Sequence, residues 1–155
     1  MPDVVVTDKK VLEIVAAHAH LEGALLPILH SVQAAFGFVP REAIPTIATA
    51  LNLSRAEVYG VVSFYHDFGE KPLGRRVVKL CRAEACQATG GNELAMHALK
   101  HFGIGWNETT GDGAVTIKAV YCIGFCSVAP AALVDGSPMG RLTAEKLIDA
   151  VEGNT

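Results

Sequence analysis

A chain of 155 residues, half of them hydrophobic and 19% charged, suits one globular domain or a domain with an extension and excludes an intrinsically disordered protein. Its formal charge of −3 gives no general attraction to nucleic acid or to anionic membrane surfaces. The richest apolar window, EGALLPILHSVQAAFGFVP, is broken by Pro27, His30 and Gln33 and is too polar for membrane insertion. The opening MPDVVVTDKK has no basic region, apolar stretch or small-residue cleavage site, so a cytoplasmic location is expected. In a reducing compartment the four cysteines read as thiols or metal ligands before they read as structural disulfides.

In chain order, the first seventy residues read as helices. KKVLEIVAAHAHL carries apolar residues at helical spacing, with Asp8 placed to cap it. ALLPILHSVQAAFG tolerates Pro27 in a first turn and stops at Gly37. VPREAIPTIATALN opens with Pro40 near its first turn and gathers Ile44, Ile47, Ala48 and Leu51 on one face. LSRAEVYGVVSFYHDF starts with a capping box, Ser54 followed by Glu57, and carries Tyr59, Phe64, Tyr65 and Phe68. GEKPLG, residues 69–74, reads as a linker.

The pattern then changes. RRVVKL is a short strand ending on Cys81, and EACQATGGNELAMHALKHFG reads as one helix with Gly90 and Gly91 as weak points. IGWNETTGDG reads as a loop, AVTIKAVY as a β-branched strand that delivers Cys122, and APAALVDG as a strand closed by an Asp-Gly turn. TAEKLIDAVEG is a final helix capped by Thr143. The expected fold is α/β: an N-terminal helical bundle over residues 1–70, then a thioredoxin-like α/β sandwich over 75–155.

The cysteines read C-x4-C, 35 intervening residues, then C-x3-C. Each pair begins where a predicted strand ends, so two parallel neighbouring strands bring all four thiols to one edge. A disulfide pair conflicts with the compartment. A redox dithiol normally has C-x-x-C spacing, which neither pair shows. A structural zinc site is compatible with the spacing but usually holds together domains lacking a core of their own. A [2Fe–2S] cluster takes four thiolates, two to each iron, and C-x4-C is a known ligand spacing for it. The small residues Ala83, Ala85, Gly124 and Ser127 leave room for backbone amides to approach the sulfurs.

LLPILHSVQAAFGFVPREAIPTIATALNLSRAEVYGVVSFYHDF followed by the cysteine pattern and APAALVDG resembles the small thioredoxin-like [2Fe–2S] subunit of NADH:quinone oxidoreductase. Relatives of that subunit serve NAD-reducing hydrogenases and NAD-dependent formate dehydrogenases. The loop CRAEACQATGG is most similar to the gamma subunit of soluble, NAD-dependent molybdenum (or tungsten) formate dehydrogenases. The resemblance implies that Cys81, Cys86, Cys122 and Cys126 ligate one [2Fe–2S] cluster. It also implies an electron-transfer subunit that is not catalytic alone and docks beside a larger beta-type subunit carrying FMN, the NAD(H) site and a further Fe–S cluster. Formate oxidation would then occur at a molybdopterin cofactor in a third, larger subunit. The alternatives are the same role in an NAD-reducing hydrogenase or in the respiratory dehydrogenase, and more remotely a zinc-stabilised structural module.

Other residues read more plainly. His18 and His20 do not share a helix face and are expected at the surface; His30 and His66 are expected at a core edge or interface. His97 and His101 are spaced i, i+4, with no acidic or cysteine partner near them in sequence. No Ser-His-Asp set, carboxylate pair or dinucleotide fingerprint is present.

Overall fold

In the computed structural model, which describes residues 8–153, the helical periodicity of the first part resolves into four helices. These are α1 (Asp8–His18), α2 (Leu25–Phe36), α3 (Ala43–Leu51) and α4 (Arg55–Phe64). They belong to the first of two compact units, which meet in sequence between Pro72 and Leu73. α1 packs on α2 and α3, and α3 on α4. Val11, Ile28, Leu29, Val32, Ile47 and Val58 are sealed from solvent at the centre. Polar bonds fix the register of the helices. His18 donates from Nδ1 to the Ile14 carbonyl (2.8 Å), which leaves Nε2 to accept from the Ser31 hydroxyl (3.2 Å). Thr46 donates to Asp8 Oδ1 (2.9 Å).

Three expectations are corrected here. Asp8 already lies within α1, and its carboxylate is used by Thr46. Pro40 precedes α3 by a turn; Pro45, the third residue of α3, is the proline the helix accommodates, where no intrahelical amide bond is lost. α4 ends at Phe64, because Tyr65 is extended, so Tyr65 and Phe68 lie beyond it. Phe68 is buried and packs at a tilt against His30, with ring centroids 4.9 Å apart. The return segment is held by Gln33, which donates to Asp67 O (2.9 Å) and accepts from Gly69 N (2.8 Å). The Ser54–Glu57 capping box is present in both directions, at 3.1 and 2.8 Å.

The second unit contains a five-stranded sheet in the order β2-β3-β1-β4-β5. Its strands are β1 (Arg76–Cys81), β2 (Glu108–Thr109), β3 (Val115–Val120), β4 (Ala132–Val134) and β5 (Ser137–Met139). β1 and β3 run parallel, with Cys81 opposite Val120; the other pairings are antiparallel. The helices are α5 (Glu84–Ala88), α6 (Gly91–Phe102) and α7 (Ala144–Glu152). Val78, Leu80, Ile117, Ala132 and Val134 form one core with Leu94, Ala98, Leu147 and Val151 of α6 and α7. Thr143 caps α7 by accepting from Lys146 N (3.3 Å).

Two elements differ from the sequence reading. The single helix expected after Cys81 is broken, since Gly90 adopts the left-handed conformation (φ 92°) between α5 and α6. The loop before β3 contributes β2, a two-residue edge strand too short to leave a period-two signal. The Asp-Gly turn is as expected: Asp135 and Gly136 both have positive φ (49° and 82°), as a type I′ hairpin requires. It leads into edge strand β5, whose middle residue is Pro138.

Candidate metal centre

The parallel pairing of β1 and β3 sets the site. Both strands end at the same edge of the sheet, so Cys81 closes β1 while β3 delivers the chain to Tyr121 and Cys122. Arg82 N donates to Val120 O (2.7 Å), and Cys81 N donates to Ala131 O (3.1 Å), tying three segments together at this edge. Cys122 stands in the left-handed region, with φ 63°. An ordinary side chain held there costs about 1 kcal/mol or more, a cost concentrated at functional sites. Gly124 (φ 83°) completes the reversal that returns Cys126 to the same place, at the start of a 3₁₀ turn, Cys126–Val128. The Ala129–Pro130 peptide bond that follows is cis.

All four cysteines are free and gather in two couples. The inner couple, Cys81 and Cys86, is buried at 7% and 2% exposure with Ala131, against Ala83, Ile123 and Ala129. The outer couple, Cys122 and Cys126, is exposed, with sulfurs 3.8 Å apart. Among the described residues no three His, Cys, Asp or Glu side chains close on a point that one metal ion could fill. Two couples of thiols match instead what a binuclear cluster asks, two thiolates for each iron.

The electrostatics of the thiols follow from burial and from backbone amides. Burial opposes ionisation of Cys81, but hydrogen bonds from the Ala83 amide, the Cys86 thiol and the Cys122 and Ile123 amides outweigh it and hold Cys81 below the usual thiol range. Burial pushes Cys86 up, and donation to the Cys81 sulfur adds to this, while the Ala131 amide works against it. Cys126 is raised chiefly because it donates to Cys122 and feels that neighbour's charge. Cys81 therefore holds a negative charge more readily than Cys86 or Cys126. The amides that serve it come from both cysteine segments, which is the environment that N–H···S bonding to a thiolate-held cluster needs.

Of the small residues expected to admit amides, Ala83 does so; the other donors are Cys122, Ile123 and Ala131. Sequence spacing could not reveal these, because they depend on how the second loop folds over Cys81. Arg82 turns its guanidinium over the Trp106 ring, 4.8 Å from the centroid. Tyr121 and Phe125, beside the outer couple, are exposed. The histidines lie elsewhere. His18 is half-buried rather than at the surface; His20, His30 and His66 are exposed. His101 does have an acidic partner, Glu152 at 2.8 Å, brought to it from α7. No described helix is long and apolar enough to cross a membrane.

Comparison with known proteins agrees with this geometry. A family model described as thioredoxin-like [2Fe–2S] ferredoxin matches residues 11–155. A subunit of the NADH-quinone oxidoreductase of Mycobacterium tuberculosis is 32% identical over 146 residues, covering 92% of this chain and 58% of that protein. The like-named subunit of Pseudomonas aeruginosa is 34% identical over 130 residues, covering 82% and 78%. The NADP-reducing hydrogenase subunit HndA of Solidesulfovibrio fructosivorans is 32% identical over 136 residues, covering 87% and 79%. Among solved structures, an NAD+-reducing [NiFe]-hydrogenase in the air-oxidised state aligns with a TM-score of 0.71 and 29% identity, over 83% of this chain and 22% of that one. The chain thus spans little more than half of the mycobacterial relative and under a quarter of the hydrogenase chain. With a matching model over nearly its whole length, the chain belongs to the thioredoxin-like [2Fe–2S] ferredoxin family, whose members carry one [2Fe–2S] cluster.

Proposed function

We propose that this chain is an electron-transfer subunit of an NAD-linked oxidoreductase complex, with Cys81, Cys86, Cys122 and Cys126 as the ligands of its cluster. The observation that carries the reading is the meeting of two thiol couples at one sheet edge, one sealed and one open to solvent. When bound, the cluster supplies one-electron reduction and reoxidation, within the range of about −700 to +450 mV known for Fe–S centres. The chain's residues set the conditions for that chemistry. Cys81 and Cys86 anchor one side away from water, amides of Ala83, Ile123 and Ala131 reach the inner sulfurs, and the exposed Cys122–Cys126 side leaves a short path to a partner.

The finer reading is a soluble, NAD-dependent formate dehydrogenase. It rests on the loop CRAEACQATGG, which resembles the gamma subunit of those enzymes. The chain would pass single electrons between its cluster and the FMN of a beta-type subunit that also binds NAD(H), while a molybdopterin-containing subunit oxidises formate. The quinone-oxidoreductase and hydrogenase relatives favour a second reading, the same task in a quinone-reducing or hydrogen-oxidising complex.

Anaerobic purification followed by iron, acid-labile sulfide and zinc analysis, with an EPR spectrum after dithionite reduction, tests the first reading. Two irons and two sulfides per chain with a spin-one-half signal are expected. Stoichiometric zinc without a signal, from iron-replete cells, would make this a structural module. Isolating the native complex and comparing formate, hydrogen and NADH as electron donors separates the second level of readings.

A further inference from the structure

We infer that Gly91 is a positioning residue for the metal centre, acting through the main chain of Cys86. This inference rests on the reading of Cys86 as a cluster ligand. A Cβ built on Gly91 would stand 2.5 Å from the Cys86 carbonyl oxygen, 2.9 Å from its carbonyl carbon and 3.4 Å from its Cβ. The first two distances are impossible for a real side chain, and what it meets is backbone that cannot swing aside. The first residue of α6 is thus seated directly on the peptide group that carries one inner thiol. Gly90 is different: it is left-handed, yet a Cβ there meets nothing within 4 Å. Its glycine serves the chain reversal between α5 and α6, whereas that of Gly91 serves Cys86.

The same carbonyl is approached from a second side. The Thr89 hydroxyl donates to Ala85 O (2.8 Å) and reaches Cys86 O (3.3 Å). The sulfur of Cys86 is buried and receives the Ala131 amide, so a displacement of its backbone cannot be taken up by free rotation into solvent. Gly91 and Thr89 together set where the Cys86 sulfur stands relative to Cys81. They touch no sulfur themselves.

The experiment compares wild type, Gly90→Ala, Gly91→Ala, Thr89→Val and Cys86→Ser in the full chain loaded with its cluster. The readouts are the EPR line positions of the reduced form and the rate at which a ferrous-iron chelator bleaches the visible absorbance. Gly91→Ala is expected to displace the EPR lines and to speed iron loss by about 10-fold or more, the usual size of an outer-shell effect. Gly90→Ala should lower stability while keeping the wild-type lines. Thr89→Val, which adds no bulk, should displace the lines in a smaller degree and decides the matter if Gly91→Ala does not fold. If Cys86→Ser changes the spectrum but neither Gly91→Ala nor Thr89→Val differs from Gly90→Ala, the inference is overturned. If Cys86→Ser leaves the spectrum unchanged, the ligand reading itself fails and this inference with it.

Discussion

The backbone amide of Cys122 is among the groups that hold the Cys81 thiol below its usual range. The first cysteine pair thus feels the main chain of the second, where Cys122 stands in the left-handed region. Each of these cysteines is also proposed to bind iron through its own sulfur, which substitution by alanine removes. Cys81→Ala and Cys122→Ala are each expected to weaken iron retention by more than about 10-fold, exceeding the loss from an outer-shell change. Iron per chain after anaerobic gel filtration with a chelator checks this, and wild-type iron in either variant would remove that cysteine from the ligand set.

Arg82 and Trp106 give a second prediction. An Arg guanidinium 4.8 Å from an indole centroid is a cation–π contact. Its coupling in a double-mutant cycle of Arg82→Gln and Trp106→Leu should be about 0.5–1 kcal/mol. Urea unfolding of the four proteins measures it, and strictly additive losses would mean the stacking contributes nothing.

The capping box of α4 makes a pH prediction. The Ser54 amide, and after it the Ser54 hydroxyl, hold the Glu57 carboxyl below the usual range. A depressed carboxyl stabilises the fold above its unfolded pKa, about 4.3, and that contribution is lost as pH falls through the lower folded value. The advantage of wild type over Glu57→Gln in urea midpoint should therefore be constant near neutrality and shrink on the acid side. Ser54→Ala, which removes the hydroxyl bond to the Glu57 amide, should cost about 1 kcal/mol at neutral pH. A midpoint difference that grows with acid would contradict the assignment.

The core of the second unit is tested at Leu147, which is fully buried where α7 meets the sheet core. Leu147→Ala should cost about 2–5 kcal/mol through lost transfer energy and the cavity left behind. Thermal unfolding of the cluster-loaded protein is the measurement, and a loss under about 1 kcal/mol would mean the site collapses onto the gap.

Legibility in the sequence followed the range of the interaction. Ser54, Thr143, Gly37 and the Asp135-Gly136 turn act within a few residues, and each does in the structure what its chemistry announces. That the cysteines meet was readable too, because strand ends can be located and parallel neighbours align them. The break at Gly90 was visible only as a weakness, since two adjacent glycines lower helix propensity without showing that Gly90 turns left-handed. Phe64 and Phe68 both look like helical core residues, but Phe64 is 74% exposed and Phe68 is buried, because the helix ends between them. The partner of His101 was hidden for the same reason: Glu152 is 51 residues away and arrives only with α7.

Pro138 has a consequence for life in a crowded solution. In a two-residue hairpin the closing pair, here Val134 and Ser137, bonds inward, so the next residue on the outer strand would turn its amide outward. That residue is Pro138, which has no amide hydrogen to offer. A stray strand approaching the open side of β5 thus finds a missing donor where it needs one, a common means by which sheet edges resist unwanted polymerisation.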